Sequence, residues 1–308
     1  MRQKVTIIGA GNVGATTAMM IAHSGIADVV LFDIVEGMPQ GKALDIAESC
    51  PLWNSSSKIK GTNTYDDIKG SDIIVITAGL ARKPGMSRSD LLHANANIVK
   101  NISLEIAKRA KDAIIIVVTN PMDVMAQLVW KTTEFSCKRV MGMGGVLDSS
   151  RLIYFISNEL DISPTDIEAI VLGGHGDDMV PLSRFTTVKG IPLAEIISKK
   201  KIKKLIERTR HGGAEIVSLL KTGSAYYAPA SSTFHMIKAI ILDEKRMLPC
   251  AAFLNGEYGF KDVYMGVPVI LGKDGVEKII EIKLTKEEKQ AFRKSYESVI
   301  KLIKQLEI

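Results

Sequence analysis

The chain has 308 residues, 46% of them hydrophobic, and a formal net charge of +6. That length buries a large core and favours two domains around one cleft, while the longest apolar runs are strand-sized and too short to span a bilayer. The three cysteines, Cys50, Cys137 and Cys250, are too scattered for a disulfide framework or a metal-ligand pattern, so a reducing, cytoplasmic setting is expected.

Met1-Arg2-Gln3-Lys4 runs straight into a strand at Val5–Ile8, with no apolar leader segment. A helix is predicted over 13–23, a strand over 29–32, and a helix over 40–50 that stops at Pro51. The apolar run 72–79 reads as a buried strand, followed by a helix over 89–109, a strand over 113–118 and a helix over 122–131. Strands apolar on both faces, alternating with helices, imply a parallel, doubly wound α/β sheet.

Regularity weakens after residue 144, where the boundary between a first domain (1–144) and a second, mixed α+β domain (145–308) is placed. A helix is expected near 149–160, a further helix start at Ser163-Pro164-Thr165-Asp166, and a strand over 167–172. Helices over 201–221 and 232–242 and antiparallel strands over 249–254, 267–271 and 278–282 follow. Thr285-Lys286-Glu287-Glu288 is a capping box for a last helix with Phe292, Tyr296, Val299, Ile303 and Leu306 on one face. The dense lysine run at 199–204 opens an amphipathic helix and lacks aromatic interleaving, so it reads as a solvated face; neither nucleic acid nor membrane is an expected partner. The mild basicity would instead concentrate a small anionic substrate.

Gly9-Ala10-Gly11-Asn12-Val13-Gly14 matches G-x-G-x-x-G in the context that gives the pattern meaning: it ends a strand and opens a helix. Such glycines let backbone approach a pyrophosphate at a helix N-terminus. Asp33, at the end of the second strand, would accept hydrogen bonds from a ribose diol and repel a 2′-phosphate, which favours NAD over NADP. Gly9, Gly11, Asn12, Val13, Gly14 and Asp33 are therefore the candidate cofactor residues.

Gly173-Gly174-His175-Gly176-Asp177 places a histidine among glycines just after a strand, accessible and able to exchange a proton near neutrality. Asp148 is the candidate to orient it, and Arg151 lies three residues on, on the same helical face. Arg82 and Arg88 flank Pro84 and Gly85 in the loop after the strand at 72–79. Alone, that loop reads equally as solvated charge or as a grip on a carboxylate.

Together these residues resemble the lactate/malate dehydrogenase family across essentially the whole chain. Gly142-Met143-Gly144-Gly145 and Gly174-His175-Gly176-Asp177 are similar to the malate dehydrogenases built on a lactate-dehydrogenase-like frame. The resemblance implies a Rossmann domain followed by a catalytic domain, NAD as cofactor, and reversible oxidation of (S)-malate to oxaloacetate. It makes His175 the general acid/base, Asp148 its partner, and Arg151 the holder of the substrate's C1 carboxylate. Arg88 would polarise the ketone oxygen from a mobile loop that closes over the site. Asn120, before Pro121, would hydrogen-bond the substrate oxygen near the nicotinamide. Arg82, six positions before Arg88, stands where lactate dehydrogenases typically carry glutamine, and would pair with a second carboxylate; Ala225 stands where they typically carry threonine, leaving room for a larger substrate. A homodimer or homotetramer is expected, with 43–50 and 214–220 as contact segments, although no arm of the kind that helps vertebrate-type lactate dehydrogenases form tetramers precedes the first strand. The alternatives are an L-lactate or other 2-hydroxy-acid dehydrogenase and, more remotely, a non-catalytic NAD-binding module.

Overall fold

The alternation of β-branched runs and amphipathic stretches folds, in a computed structural model that describes residues 2–80 and 88–306 (Arg88 by its backbone alone), into one layered sheet with helices on both faces. Its first part comprises β1 (Lys4–Ile8), α1 (Asn12–Ser24), β2 (Asp28–Phe32), α2 (Met38–Ser49), β3 (Ile59–Thr62), β4 (Ile73–Ile76), α3 (Arg88–Arg109), β5 (Ile114–Val117), α4 (Met122–Thr133) and β6 (Val140–Gly142). These strands run parallel in the order 3-2-1-4-5-6. Every residue of β4 and β5 is buried, which is why both read as continuous apolar runs rather than as alternation. Strand order reverses at β1/β4, and the crevice beyond the carboxyl ends of those strands is where such sheets take ligands.

The second part comprises α5 (Gly145–Leu160), β7 (Ile167–Glu168), β8 (Val171–Leu172), β9 (Val180–Pro181), β10 (Thr187–Val188), β11 (Ile191–Pro192), α6 (Leu193–Ile196), α7 (Lys199–Leu220), α8 (Tyr227–Ile241), β12 (Arg246–Asn255), β13 (Lys261–Gly272), β14 (Gly275–Ile279) and α9 (Lys286–Gln305). The strands β12, β13 and β14 are antiparallel and extend the parallel sheet, because Ala251 of β12 pairs with Gly142 of β6. A nine-stranded sheet therefore runs unbroken from β3 to β14. The capping box at Thr285 and Glu288 forms, and α9 lays Phe292, Val299 and Ile303 into the main core. A smaller core under α5 and α7 holds Leu152, Ile156, Ile167 and Leu205. Among the described residues no helix is long and apolar enough to cross a membrane.

Several expected elements differ. The chain keeps turning through Pro51 as a 3-10 helix, Cys50–Trp53, since proline is tolerated in a first turn. The single strand expected over 167–172 is two: β7 joins a three-stranded sheet and β8 pairs with β9. At the start of β8 the Val171 N–H donates to the Ser149 hydroxyl at 3.0 Å instead of to a strand. The start signal at Ser163 yields only a 3-10 turn, Pro164–Asp166. Strand β3 carries only one large apolar side chain, Ile59, and β6 spans only Val140–Gly142, so neither stands out as an apolar run in the sequence.

Candidate active site

The first glycine turn is built by collision avoidance. Gly9 adopts φ +112°, and a side chain on Gly14 would run into the Gly9 carbonyl oxygen. Gly11, at the N-cap of α1, has nothing within 4 Å of where a Cβ would sit, and no side chain caps the helix. Gly11 and Asn12 are exposed and Val13 half-buried, so the α1 amides face open space where an anion fits. Asp33 Oδ2 accepts the Ala10 N–H at 2.7 Å and Oδ1 accepts the Val35 N–H at 3.0 Å, which ties the end of β2 to the turn and leaves lone pairs over. This is a cradle that fits a dinucleotide. Two of its supports had no sequence signal: Thr77 Oγ1 donates to the Gly9 carbonyl at 2.9 Å, and Lys42 Nζ reaches the Ala10 carbonyl at 2.7 Å.

Asn120, exposed beyond β5, is joined to Pro121 by a cis peptide bond. Its carbonyl accepts from the Nδ2 of buried Asn95 at 2.8 Å, while Asn95 Oδ1 accepts the Leu80 N–H at 2.8 Å. One α3 side chain thus clamps the segments leaving β4 and β5. Arg82, with Pro84 and Gly85, lies outside the described residues; Arg88 opens α3, and its side chain lies outside them too. Ala225 sits in the irregular link between α7 and α8.

His175, Asp148 and Arg151 come together as a cluster. Asp148, in the first turn of α5, is 2% exposed. Its Oδ2 lies 2.8 Å from His175 Nδ1 and its Oδ1 lies 3.5 Å from Arg151 Nη1. The His175 and Arg151 side chains are only 15% and 13% exposed, so the three charges meet where water screens them poorly. Burial works against the imidazolium, but the adjoining Asp148 carboxylate outweighs it and holds the His175 pKa above its ordinary value. Burial also lowers the Arg151 pKa, against the pull of Asp148, although a guanidinium stays charged. Arg151 Nε is buried with no hydrogen-bond partner among the described residues, an N–H that a bound carboxylate oxygen would satisfy. Behind it stand Gly212 and Gly213 of α7; a Cβ on Gly213 would lie 3.6 Å from Arg151 Nη2.

The sequence reading missed Asp123 and Ser295. Asp123 Oδ2 accepts the His175 backbone N–H at 2.7 Å, and Ser295 Oγ of α9 accepts that of Gly174 at 2.8 Å. An aspartate in the first turn of a helix already has a local explanation, since it complements the helix dipole, and this hid its second role.

A doubly wound sheet with a glycine cradle and a buried carboxylate–histidine–arginine cluster defines the class: an NAD-dependent oxidoreductase. The chain belongs to the lactate/malate dehydrogenase family, since residues 3–142 match the model of that family's NAD binding domain and residues 145–307 the model of its alpha/beta C-terminal domain. Among solved structures, malate dehydrogenase from Picrophilus torridus is 47% identical, with TM-score 0.96 over 98% of this chain and 97% of that one. Malate dehydrogenase from Cryptosporidium parvum is 43% identical, with TM-score 0.97 over 100% and 99%. Lactate dehydrogenase from the same organism, complexed with lactic acid and β-nicotinamide adenine dinucleotide, is 42% identical, with TM-score 0.97 over 100% and 98%.

Proposed function

We propose that this protein is a malate dehydrogenase, interconverting (S)-malate and oxaloacetate, with residues 1–144 holding NAD and residues 145–308 supplying the acid/base and carboxylate-binding groups. The observation that carries the reading is the Asp148 carboxylate shared between His175 Nδ1 and Arg151 Nη1. With Nδ1 engaged, Nε2 of His175 is the nitrogen left to exchange a proton with the substrate's oxygen. Arg151 takes the carboxylate next to the reacting carbon, and its Nε, with no partner among the described residues, supports that role. Arg88 polarises the ketone oxygen and Asn120 hydrogen-bonds it. Gly9, Gly11, Asn12, Val13 and Gly14 hold the dinucleotide's phosphates and Asp33 its ribose; when bound, NAD supplies the hydride acceptor. Oxaloacetate reduction places negative charge on the substrate oxygen, which His175 in its protonated form neutralises as the charge develops.

Overall similarity does not separate malate from lactate, because the two Cryptosporidium enzymes match this chain almost equally. The choice rests on Arg82, a second guanidinium suited to a second carboxylate, so L-lactate dehydrogenase stays as the second reading. Following NADH consumption with oxaloacetate and with pyruvate tests both. Preference for pyruvate overturns the malate reading, and NADH binding without turnover of either overturns the enzymatic one.

The same reading includes a homodimer or homotetramer in the cytoplasm. Its support is apolar surface on the contact segments, with Leu44 of α2 62% exposed and Leu219 of α7 74% exposed, and cysteines that are all free. Light scattering on the purified protein checks the assembly.

A further inference from the structure

The loop that carries His175 is held by three separate elements. Gly173 N–H donates to the Gly266 carbonyl of β13 at 2.8 Å, Gly174 N–H to Ser295 Oγ of α9 at 2.8 Å, and His175 N–H to Asp123 Oδ2 of α4 at 2.7 Å. The third support is the unusual one. Asp123 is 5% exposed, and its other oxygen, Oδ1, is buried with no hydrogen-bond partner among the described residues. A carboxylate in such a place is costly. A neutral amide would accept the same N–H without burying a charge. The position thus carries a charge that loop anchoring alone does not call for.

We propose that Asp123 is a positioning residue for His175: its Oδ2 sets the imidazole's place through the backbone N–H, and its negative charge, added to that of Asp148, favours the protonated ring. The proposal rests on reading His175 as the proton carrier. The charged groups acting on the ring are Asp148 and Arg151 from α5 and Asp123 from α4; those acting on Asp123 are His175 and Asp148. On the α9 side the nearest support is the neutral Ser295, and Lys294 is engaged with Asp178 at 2.7 Å. Burial pushes the Asp123 pKa up to about 6, so the carboxylate is ionised at neutral and alkaline pH.

Charge and anchor separate experimentally. Asp123→Asn removes the charge and keeps an acceptor oxygen; Asp123→Ala removes both. The His175 ring is titrated by NMR in the full-length protein, its signal being the one lost in His175→Asn, and steady-state rates are measured alongside. Asp123→Asn should lower the His175 pKa by about one unit. Asp123→Ala should in addition lower kcat on the order of a hundredfold while NADH binding is retained. Ser295→Ala should slow turnover without moving the ring's titration. The proposal is overturned if Asp123→Asn leaves the titration in place, or if Asp123→Ala is no slower than Asp123→Asn. Should the unaltered protein turn over neither oxaloacetate nor pyruvate, the functional reading fails, and the NMR titration still decides whether Asp123 governs the ring.

Discussion

Asp148 meets His175 and Arg151 with different oxygens, Oδ2 at 2.8 Å from His175 Nδ1 and Oδ1 at 3.5 Å from Arg151 Nη1. A single buried carboxylate therefore holds the His175 imidazole by Nδ1 and the Arg151 guanidinium by Nη1 together. The three-residue spacing on α5 makes this possible, because Asp148 and Arg151 rise from one helical face.

Asp148→Asn should lower kcat by about a hundred- to ten-thousand-fold, since the amide no longer enforces the tautomer or stabilises the imidazolium. His175→Asn should abolish turnover. In both, NADH binding followed by fluorescence should stay close to that of the unaltered protein; its loss would mark the cluster as structural.

The pH dependence follows from the raised His175 pKa. The ionic contribution of the pair to stability is complete below the unfolded value of 6.5 and fades as pH rises through the higher folded value. Oxaloacetate reduction needs the protonated ring and should decline across that folded pKa, whereas malate oxidation needs the neutral ring and should increase across it. Profiles of kcat/KM in both directions should share one apparent pKa above 6.5, displaced downward in Asp148→Asn.

Arg82→Gln should shift preference from oxaloacetate toward pyruvate. Leaving a guanidinium unpaired in a dry pocket costs about 3 kcal/mol or more, so the ratio of the two kcat/KM values should move on the order of a hundredfold. An unchanged ratio would sink the assignment of Arg82 as the selector.

Asp33→Ser should relax discrimination against NADPH by roughly tenfold, by removing a charge that repels a 2′-phosphate. The Ala10 and Val35 N–H groups also lose their carboxylate acceptor, so NADH affinity should weaken too. Competitive binding of the two cofactors measures both effects.

Gly14→Ala should lower thermal stability by about 1–3 kcal/mol, because the new methyl meets the Gly9 carbonyl oxygen. Gly11→Ala, with open space around it, should keep its melting temperature and lose NADH affinity. Calorimetry and a fluorescence titration on both variants separate packing from ligand approach.

Much of this site was legible locally. The candidate residues of the glycine turn, with Asp33, His175, Asp148 and Arg151, stand out in the sequence because each sits at a fixed spacing from a strand end or along a helix. Parallel strands such as β4 and β5 were equally clear, being apolar on both faces over their whole length. Asp123, Ser295, Asn95 and Thr77 were not legible. Each is an ordinary residue in its own segment, and each acquires its role from a partner far away in the chain: Ser295 from Gly174, Asn95 from Asn120 and Leu80.

What the chain's own order of residues determined was the class of fold and the chemical inventory, because hydrophobic period, glycine placement and helical spacing act over a few residues. Tertiary structure alone decided how the inventory is held. Ala251 finds Gly142 and joins the antiparallel strands to the parallel sheet. The loop bearing His175 is suspended from α4, α9 and β13. Hydrogen-bonding groups excluded from water must find partners, and which partner is nearest depends on how distant elements pack, which no local pattern encodes.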